Sequence, residues 1–455
     1  MTKSELIYEK KTVYEKAGKA VVDAAFAYAE DYKKYLDGGK TEREALKASI
    51  TLAEAKGYRE YKLGDKISVG DKLYYNNRGK NLFLFSVGSE PINEGIRITA
   101  AHIDAPRIDL KQCPLYEEGG MGFFKTHYYG GIRKYQWVAT PLALHGVIAT
   151  KDGRLLDVTI GEDDSDPLFY INDLLPHLGQ EQSKKPLSEG ISGEQLNVLV
   201  GSMPDDEEHS VSLQILKLLN EKYGITEDDF LSSELCVVPA AKARDVGLDR
   251  SMIGAYGHDD RVCAYPILTA LLDTPDSVHT RLCILADKEE TGSDGPTGMQ
   301  ADLMLDLVNE LAFHLGGNPA VVRANSKCLS ADVSAAYDPN FPEVFEKKNT
   351  PFLGCGAVFT KFTGSRGKSG TNDASAEYIG WLRGILSRDE VVWQAGELGK
   401  VDCGGGGTVA KYISKHNIDT IDLGVPVISM HAPWEVIAKV DLYETYRAAK
   451  AFYLY

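Results

Sequence analysis

The chain has 455 residues, of which 43% are hydrophobic and 25% charged, values ordinary for a globular protein and long enough for two or three domains. Asp plus Glu outnumber Lys plus Arg by 66 to 50, a formal charge of −16, which argues against a surface for nucleic acid or an anionic membrane. The seven cysteines are scattered and form no Cys-x-x-Cys pair, so zinc-finger chemistry is excluded and reduced thiols in a cytoplasmic protein are expected.

In chain order, residues 1–11 are charged and lack the apolar core of a secretory signal, and no later apolar run reaches membrane-spanning length. Residues 13–35 carry small and apolar side chains at helical spacing, and Gly38-Gly39 stops them. Thr41 with Glu44 reads as the capping box of a second helix reaching residue 56. Residues 72–87 read as a hairpin turning near Asn76, Asn77 and Gly79, and 96–101 as a strand. The texture then changes until about residue 245: 135–160 is β-rich, and acidic or polar loops follow at 162–166, 180–185 and 205–209. Beyond 250, strands at 281–286, 327–331 and 425–430 alternate with helices at 304–315, 374–386 and 441–453. That alternation means βαβ units and an α/β domain with a mixed, mostly parallel sheet flanked by helices. The expected division is 1–106 and 249–455 for this domain, with 107–248 as a β-rich insertion.

Four of the strand-like runs end in polar residues: 96–101 leads to His102 and Asp104, 281–286 to Asp287, Glu289 and Glu290, 327–331 to Asp332, and 425–430 to His431. Gly257-His-Asp259-Asp260-Arg261 precedes a helix from 262 to 272 and adds another carboxylate. In an open α/β sheet, ligands gather outside the carboxyl ends of the strands. Two His and several carboxylates at one edge suit a hydrolytic metal site, in which a bridging carboxylate joins two ions and a further carboxylate stays unligated as base. Taken singly, each residue has a plainer explanation: a lone His is usually a surface or satisfied core residue, an Asp after a strand a helix cap, and Glu-Glu a solvated turn. The run Gly404 to Gly407 lacks the Lys-Ser/Thr of a phosphate loop and reads as a flexible loop. It is the conjunction of strand ends that carries the signal.

With His102-Ile-Asp104, Gly257-His-Asp-Asp, Asp287-Lys-Glu-Glu-Thr-Gly-Ser, Ser330-Ala-Asp-Val and Ser429-Met-His in this order, the chain resembles the aspartyl aminopeptidase/aminopeptidase I family of di-zinc exopeptidases from about residue 90 onward. Ser330 to Phe341 and Thr371-Asn-Asp-Ala-Ser resemble further family segments, with Asp-Pro-Asn where the family often has His-Pro-Asn. The resemblance implies a phosphorylase/hydrolase-like catalytic domain, an inserted dimerisation domain, and release of N-terminal amino acids from peptides. It implies two Zn²⁺ per subunit, with His102 and Asp332 on one ion, Glu290 and His431 on the other, and Asp259 bridging. Asp260 leaves a one-residue ambiguity for the bridge. Glu289 matches the general base and Asp104 the carboxylate that orients His102. Co²⁺ or Mn²⁺ would fit the same ligands. In related enzymes a His from the insert reaches a neighbouring subunit's site; His145 matches it, with His127 as competitor. Lys361, Arg366 and Lys368 form a basic stretch that would face an acidic substrate side chain, or else a solvated loop. The family also implies a homo-oligomer built from dimers, such as a dodecamer. Two other classes stay open at this level: a metallo-carboxypeptidase or amidohydrolase of the same fold, and a scaffold with a decayed site.

Overall fold

A computed structural model describes residues 6–275 and 278–455. Two compact units emerge. One runs up to Asp104 and takes in Ala243–Met430 and Glu435–Tyr455; the other comprises Ala105–Lys242 with His431–Trp434.

The first unit is built on a nine-stranded mixed sheet. Its four central strands, Thr280–Ala286, Ile96–His102, Lys327–Ser330 and Asp419–Gly424, are parallel neighbours in that order. The hairpin Lys72–Asn77 and Asn81–Ser86 extends one side, and Ala357–Thr360 with Trp393–Ala395 the other. Strands buried on both faces need near-continuous apolar runs, and Leu282-Cys-Ile-Leu285 supplies one. Because side chains alternate along a strand, Cys283 and Leu285 pack with the helices Lys19–Asp37, His258–Asp273 and Lys439–Leu454. Leu282 and Ile284 pack instead with Leu303–His314. This is the expected α/β architecture, with helices on both faces.

Local signals explain the element ends. The Thr41 capping box forms, and its helix is Glu42–Glu54. The helical run at 13–35 is interrupted: Thr12 caps the short helix Val13–Lys16, Ala17 and Gly18 adopt extended backbone, and Lys19–Asp37 follows. The strand expected at 425–430 is shorter, Pro426–Ile428, and the strand just before it, Asp419–Gly424, was not anticipated. Asp419–Gly424 stays in the large sheet, whereas Pro426–Ile428 joins a five-stranded sheet with Glu435–Ala438. The crossing is tight at Gly424, where a Cβ would lie 2.0 Å from the Asp332 carbonyl oxygen.

The second unit is a seven-stranded sheet whose neighbouring strands are all antiparallel. It contains the β-rich stretch as Leu142–Ala149 and Leu155–Ile160. It also holds elements that the sequence reading passed over. Arg107–Glu118 and Met121–Tyr129 form a long hairpin turned by Gly119-Gly120. Val211–Tyr223 is a helix begun by the Ser210 side chain and ended by Gly224 in the left-handed region. No helix among the described residues is long and apolar enough to cross a membrane.

Leu285 is fully buried between the large sheet and its helices. Leu285→Ala is expected to lower stability by about 2–5 kcal/mol, read as a fall in the urea midpoint at unchanged slope.

Candidate metal centre

Two of the central strands finish side by side, with His102 in register with Ala286. The loops that follow carry Asp104 on one side and Glu289-Glu290 on the other. Lys327–Ser330, the next strand, ends two residues before Asp332. Strand polarity therefore sends three polar loops out of the same sheet edge.

His102 is buried, and its Nδ1–H donates to the Asp104 carbonyl oxygen at 3.0 Å. Asp104 Oδ1 lies 3.3 Å from the same nitrogen, and Asp259 Oδ1 lies 3.3 Å from Nε2. Burial opposes charge on this imidazole, but Asp104 and Asp259 outweigh it and hold its pKa well above the ordinary value. With Nδ1 engaged, Nε2 is the nitrogen left for a cation.

Asp104 does more than orient the ring. It is completely buried, and its Oδ1 and Oδ2 accept the backbone N–H groups of Glu289 and Glu290, each at 3.2 Å. The turn it grips, Glu289–Thr291, is a single 3₁₀ turn flanked by Lys288 (φ 66°) and Gly292 (φ 96°), with Ser293 (φ 61°) beyond. Left-handed backbone at a non-glycine residue costs about 1–3 kcal/mol and persists where the surroundings enforce it, as at functional sites.

The helix His258–Asp273 begins irregularly: Asp259 and Asp260 have non-helical backbone and are joined by a cis peptide bond. The Asp259 N–H donates to Glu435 Oε2 at 3.1 Å. His258 Nε2–H donates to the Ile253 carbonyl oxygen, and Nδ1 accepts from the Tyr32 hydroxyl at 2.8 Å. Burial pushes the His258 pKa down to about 3, so this ring is a neutral tether. Of the adjacent pair, Asp259 is the carboxylate that faces His102. Asp260 is fully buried, and burial, with Asp259 adding to it, raises its pKa well above the usual range against the pull of His102.

His102, Asp259 and Asp332 each offer one ligand atom within 4.8 Å of the others, and Asp259 and Glu290 also present carboxylate oxygens within 4.8 Å. Burial raises the Asp332 pKa well above its usual range; Asp260, Glu289 and Asp259 add to this and His102 opposes it. Crowded carboxylates of this kind are relieved by a divalent cation, and imidazole nitrogen with carboxylate oxygen is the donor set zinc takes. The residues present fit the metal. His431 opens the segment His431–Trp434 with φ 64°, and its Nδ1–H donates to the Gly131 carbonyl oxygen at 2.8 Å.

The remaining expected positions have partners of their own. His145 is buried in the second unit, with Nε2 3.0 Å from Glu162 Oε1. His127 is exposed beside Tyr128, to whose carbonyl oxygen its Nδ1–H donates. Lys361 and Lys368 both pair with Asp373, one oxygen each. Their loop follows Ala357–Thr360, a strand antiparallel to Asp419–Gly424 that runs away from the ligand edge. Sequence reasoning missed Glu435 and the tether between Tyr32 and His258. A lone Glu at the head of an apolar strand was the available signal for the first; nothing local announces the second, since the partners are 226 residues apart.

Residues 35–453 match the family model described as aminopeptidase I zinc metalloprotease (M18). A relative from Clostridium acetobutylicum, described as a probable M18 family aminopeptidase 1, is 49% identical and covers 99% of both chains. The crystal structure of an M18-family aminopeptidase from Thermotoga maritima superposes with a TM-score of 0.94 at 40% identity, covering 98% of this chain and 100% of that one. A more distant fold neighbour from S. cerevisiae, described as a dodecamer, has a TM-score of 0.77 at 20% identity, covering 94% of this chain and 96% of that one.

In Asp104→Asn one carboxylate oxygen becomes an amide that meets a backbone N–H as donor against donor. This variant should bind zinc about 10–100-fold more weakly by chelator competition. Unchanged affinity would show that the clamp does not hold the ligands in place.

Proposed function

The chain belongs to the M18 family of aminopeptidase I zinc metalloproteases and releases amino acids from the N-terminus of peptides, and on that premise we propose which residues do the work. Two zinc ions are held per chain, one by His102 and Asp332, the other by Glu290 and His431, with Asp259 shared. The observation that carries this reading is the convergence of His102, Asp259 and Asp332, with Glu290 also within ligand reach of Asp259. Asp259 over Asp260 as the shared ligand is supported by its 3.3 Å approach to His102 Nε2. His431 supplies the missing imidazole in the Ser-Met-His sequence. Cobalt or manganese suits the same donors.

When bound, such ions act as Lewis acids and lower the pKa of water toward neutrality. Glu289 receives the proton of the attacking water and returns it to the departing amine nitrogen. Adjacency on one short turn divides the labour between Glu289 and Glu290, and the two N–H bonds to Asp104 hold that turn at a fixed height above His102. The carboxylates around the ions attract the free α-ammonium of a peptide, which restricts cleavage to the first residue. The antiparallel second unit is the proposed source of subunit contacts, in a homo-oligomer of the kind described for the yeast neighbour.

Elemental analysis should find two zinc ions per chain in the wild type. Glu289→Gln should keep both while kcat falls by about 10²–10⁴-fold. Near-normal turnover in that variant would remove Glu289 as base. Acetylating the N-terminus of a good peptide substrate should stop hydrolysis; continued cleavage would point to recognition of the other end.

A further inference from the structure

We propose that the first unit carries a second ligand site, an anion pocket at the sheet edge remote from the zinc ligands, built for a small phosphate-bearing molecule. The pocket is a cavity of about 710 Å³ lined by Arg323, Lys415, His416, Asn309, Asn318 and Asn417, with Leu305, Pro319 and Ala320. Its position follows from topology. Arg323 precedes the strand Lys327–Ser330, and 415–417 precede its parallel neighbour Asp419–Gly424. These strands start near the pocket and end near Asp332, so the two sites stand roughly 15 Å apart along the strands, at about 3.3 Å per residue.

The charges there are uncompensated. Among the described residues, none of Arg323, Lys415 and His416 has a carboxylate partner at ion-pair distance. The Lys415 ammonium sits 5.1 Å from the centre of the Tyr412 ring, whereas the nearby Lys327 does pair with Asp419. Burial makes His416 less basic, Arg323 and Lys415 lower it further, and Asp302 pulls the other way, so the two cations act on one imidazole. Helix dipoles attract single cations to helix ends, and Arg323 does lie in the last turn of Pro319–Asn325. That accounts for one cation per helix end, but not for two cations, an imidazole and three amides around one concavity. On a chain of net charge −16 the background field repels anions, so a basic hollow runs against the surface as a whole.

The donor count selects the ligand. A guanidinium fork alone satisfies a carboxylate bidentately. A tetrahedral dianion has further oxygens for the ammonium, the imidazole and the amides. Free phosphate and a phosphate ester share that chemistry, and the experiment separates them.

The zinc-loaded full chain is titrated calorimetrically with inorganic phosphate, glycerol 1-phosphate and succinate. One saturable phosphate-type site per chain is expected. It should weaken by at least about tenfold, or 1.4 kcal/mol, in Arg323→Gln/Lys415→Gln and be partly retained in Arg323→Lys. These half-buried and exposed side chains lie outside the catalytic edge, so aminopeptidase activity within about twofold of wild type verifies that the double variant is folded. Tighter binding of the ester identifies an esterified ligand, and tighter binding of the inorganic ion identifies free phosphate. Equal phosphate binding by wild type and double variant, which would mean capture by zinc, overturns the proposal. So does succinate binding as tightly as either phosphate, or no saturation up to about 10 mM.

Discussion

The catalytic edge depends on one buried carboxylate. Asp104 touches the loop after Ile96–His102 and the loop after Thr280–Ala286, the two strands that end side by side. Its two oxygens span the backbone of the two glutamates, and its main-chain oxygen receives Nδ1 of His102. A charge-assisted bond is stronger than a neutral one, and in a site closed to water it loses little to competition. The same group thus sets the tautomer of an imidazole and the height of a strained turn. Neither alone would be held: Lys288 and Ser293 keep left-handed backbone only because the turn between them is anchored.

Around that clamp the protein accumulates negative charge that it could not tolerate without compensation. Burial raises the pKa values of Asp260 and Asp332 well above their usual range, and Asp287, next to the glutamate turn, is pushed up to about 6 by burial with Glu42 and Asp104 adding to it. The N-terminal helices are part of the containment. Tyr32 holds His258, and the Lys40 carbonyl oxygen accepts from the fully buried Arg261, the residues on either side of the Asp259-Asp260 pair. Tyr32 and Lys40 therefore fix the start of a helix more than two hundred residues later.

How much of this is legible in the sequence depends on the range over which each feature is decided. The Thr41–Glu44 capping box, the hairpin around Gly79 and the apolar strand at 281–286 are local and were readable. His102, Asp104, Glu289, Glu290 and Asp332 are legible as candidates because parallel strands deliver their ends to one edge, whereas Asp259 follows Met252–Ala255, a strand of the five-stranded sheet. Where tertiary packing decides, reading stops. The run at 425–430 looks like one strand, but the close approach of Gly424 to Asp332 turns it into another sheet. Glu435 and Tyr32 act on the site through bonds that no spacing rule predicts. Lys361 and Lys368 read in the sequence either as a specificity patch or as a solvated basic loop, and no spacing rule announces that both pair with Asp373.

Strand direction also orders the charges. Near their starts the parallel strands carry cations: Arg281 donates to the Ser86 hydroxyl, Arg97 to the Tyr455 carbonyl oxygen, and Lys327 pairs with Asp419. At their ends the same strands carry Asp287, His102 with Asp104, and Asp332. Three of the four parallel strands thus begin near a cation and end near a carboxylate, over only five to seven residues, whereas Asp419–Gly424 begins with the acid that pairs with Lys327. The overall charge of −16 conceals this separation, because it averages two edges that attract opposite ligands. A divalent cation and the ammonium of a peptide belong at one edge, and an oxyanion at the other. The Arg323–Lys415 hollow lies at the edge where the strands begin, and among the described residues neither cation has a carboxylate at ion-pair distance.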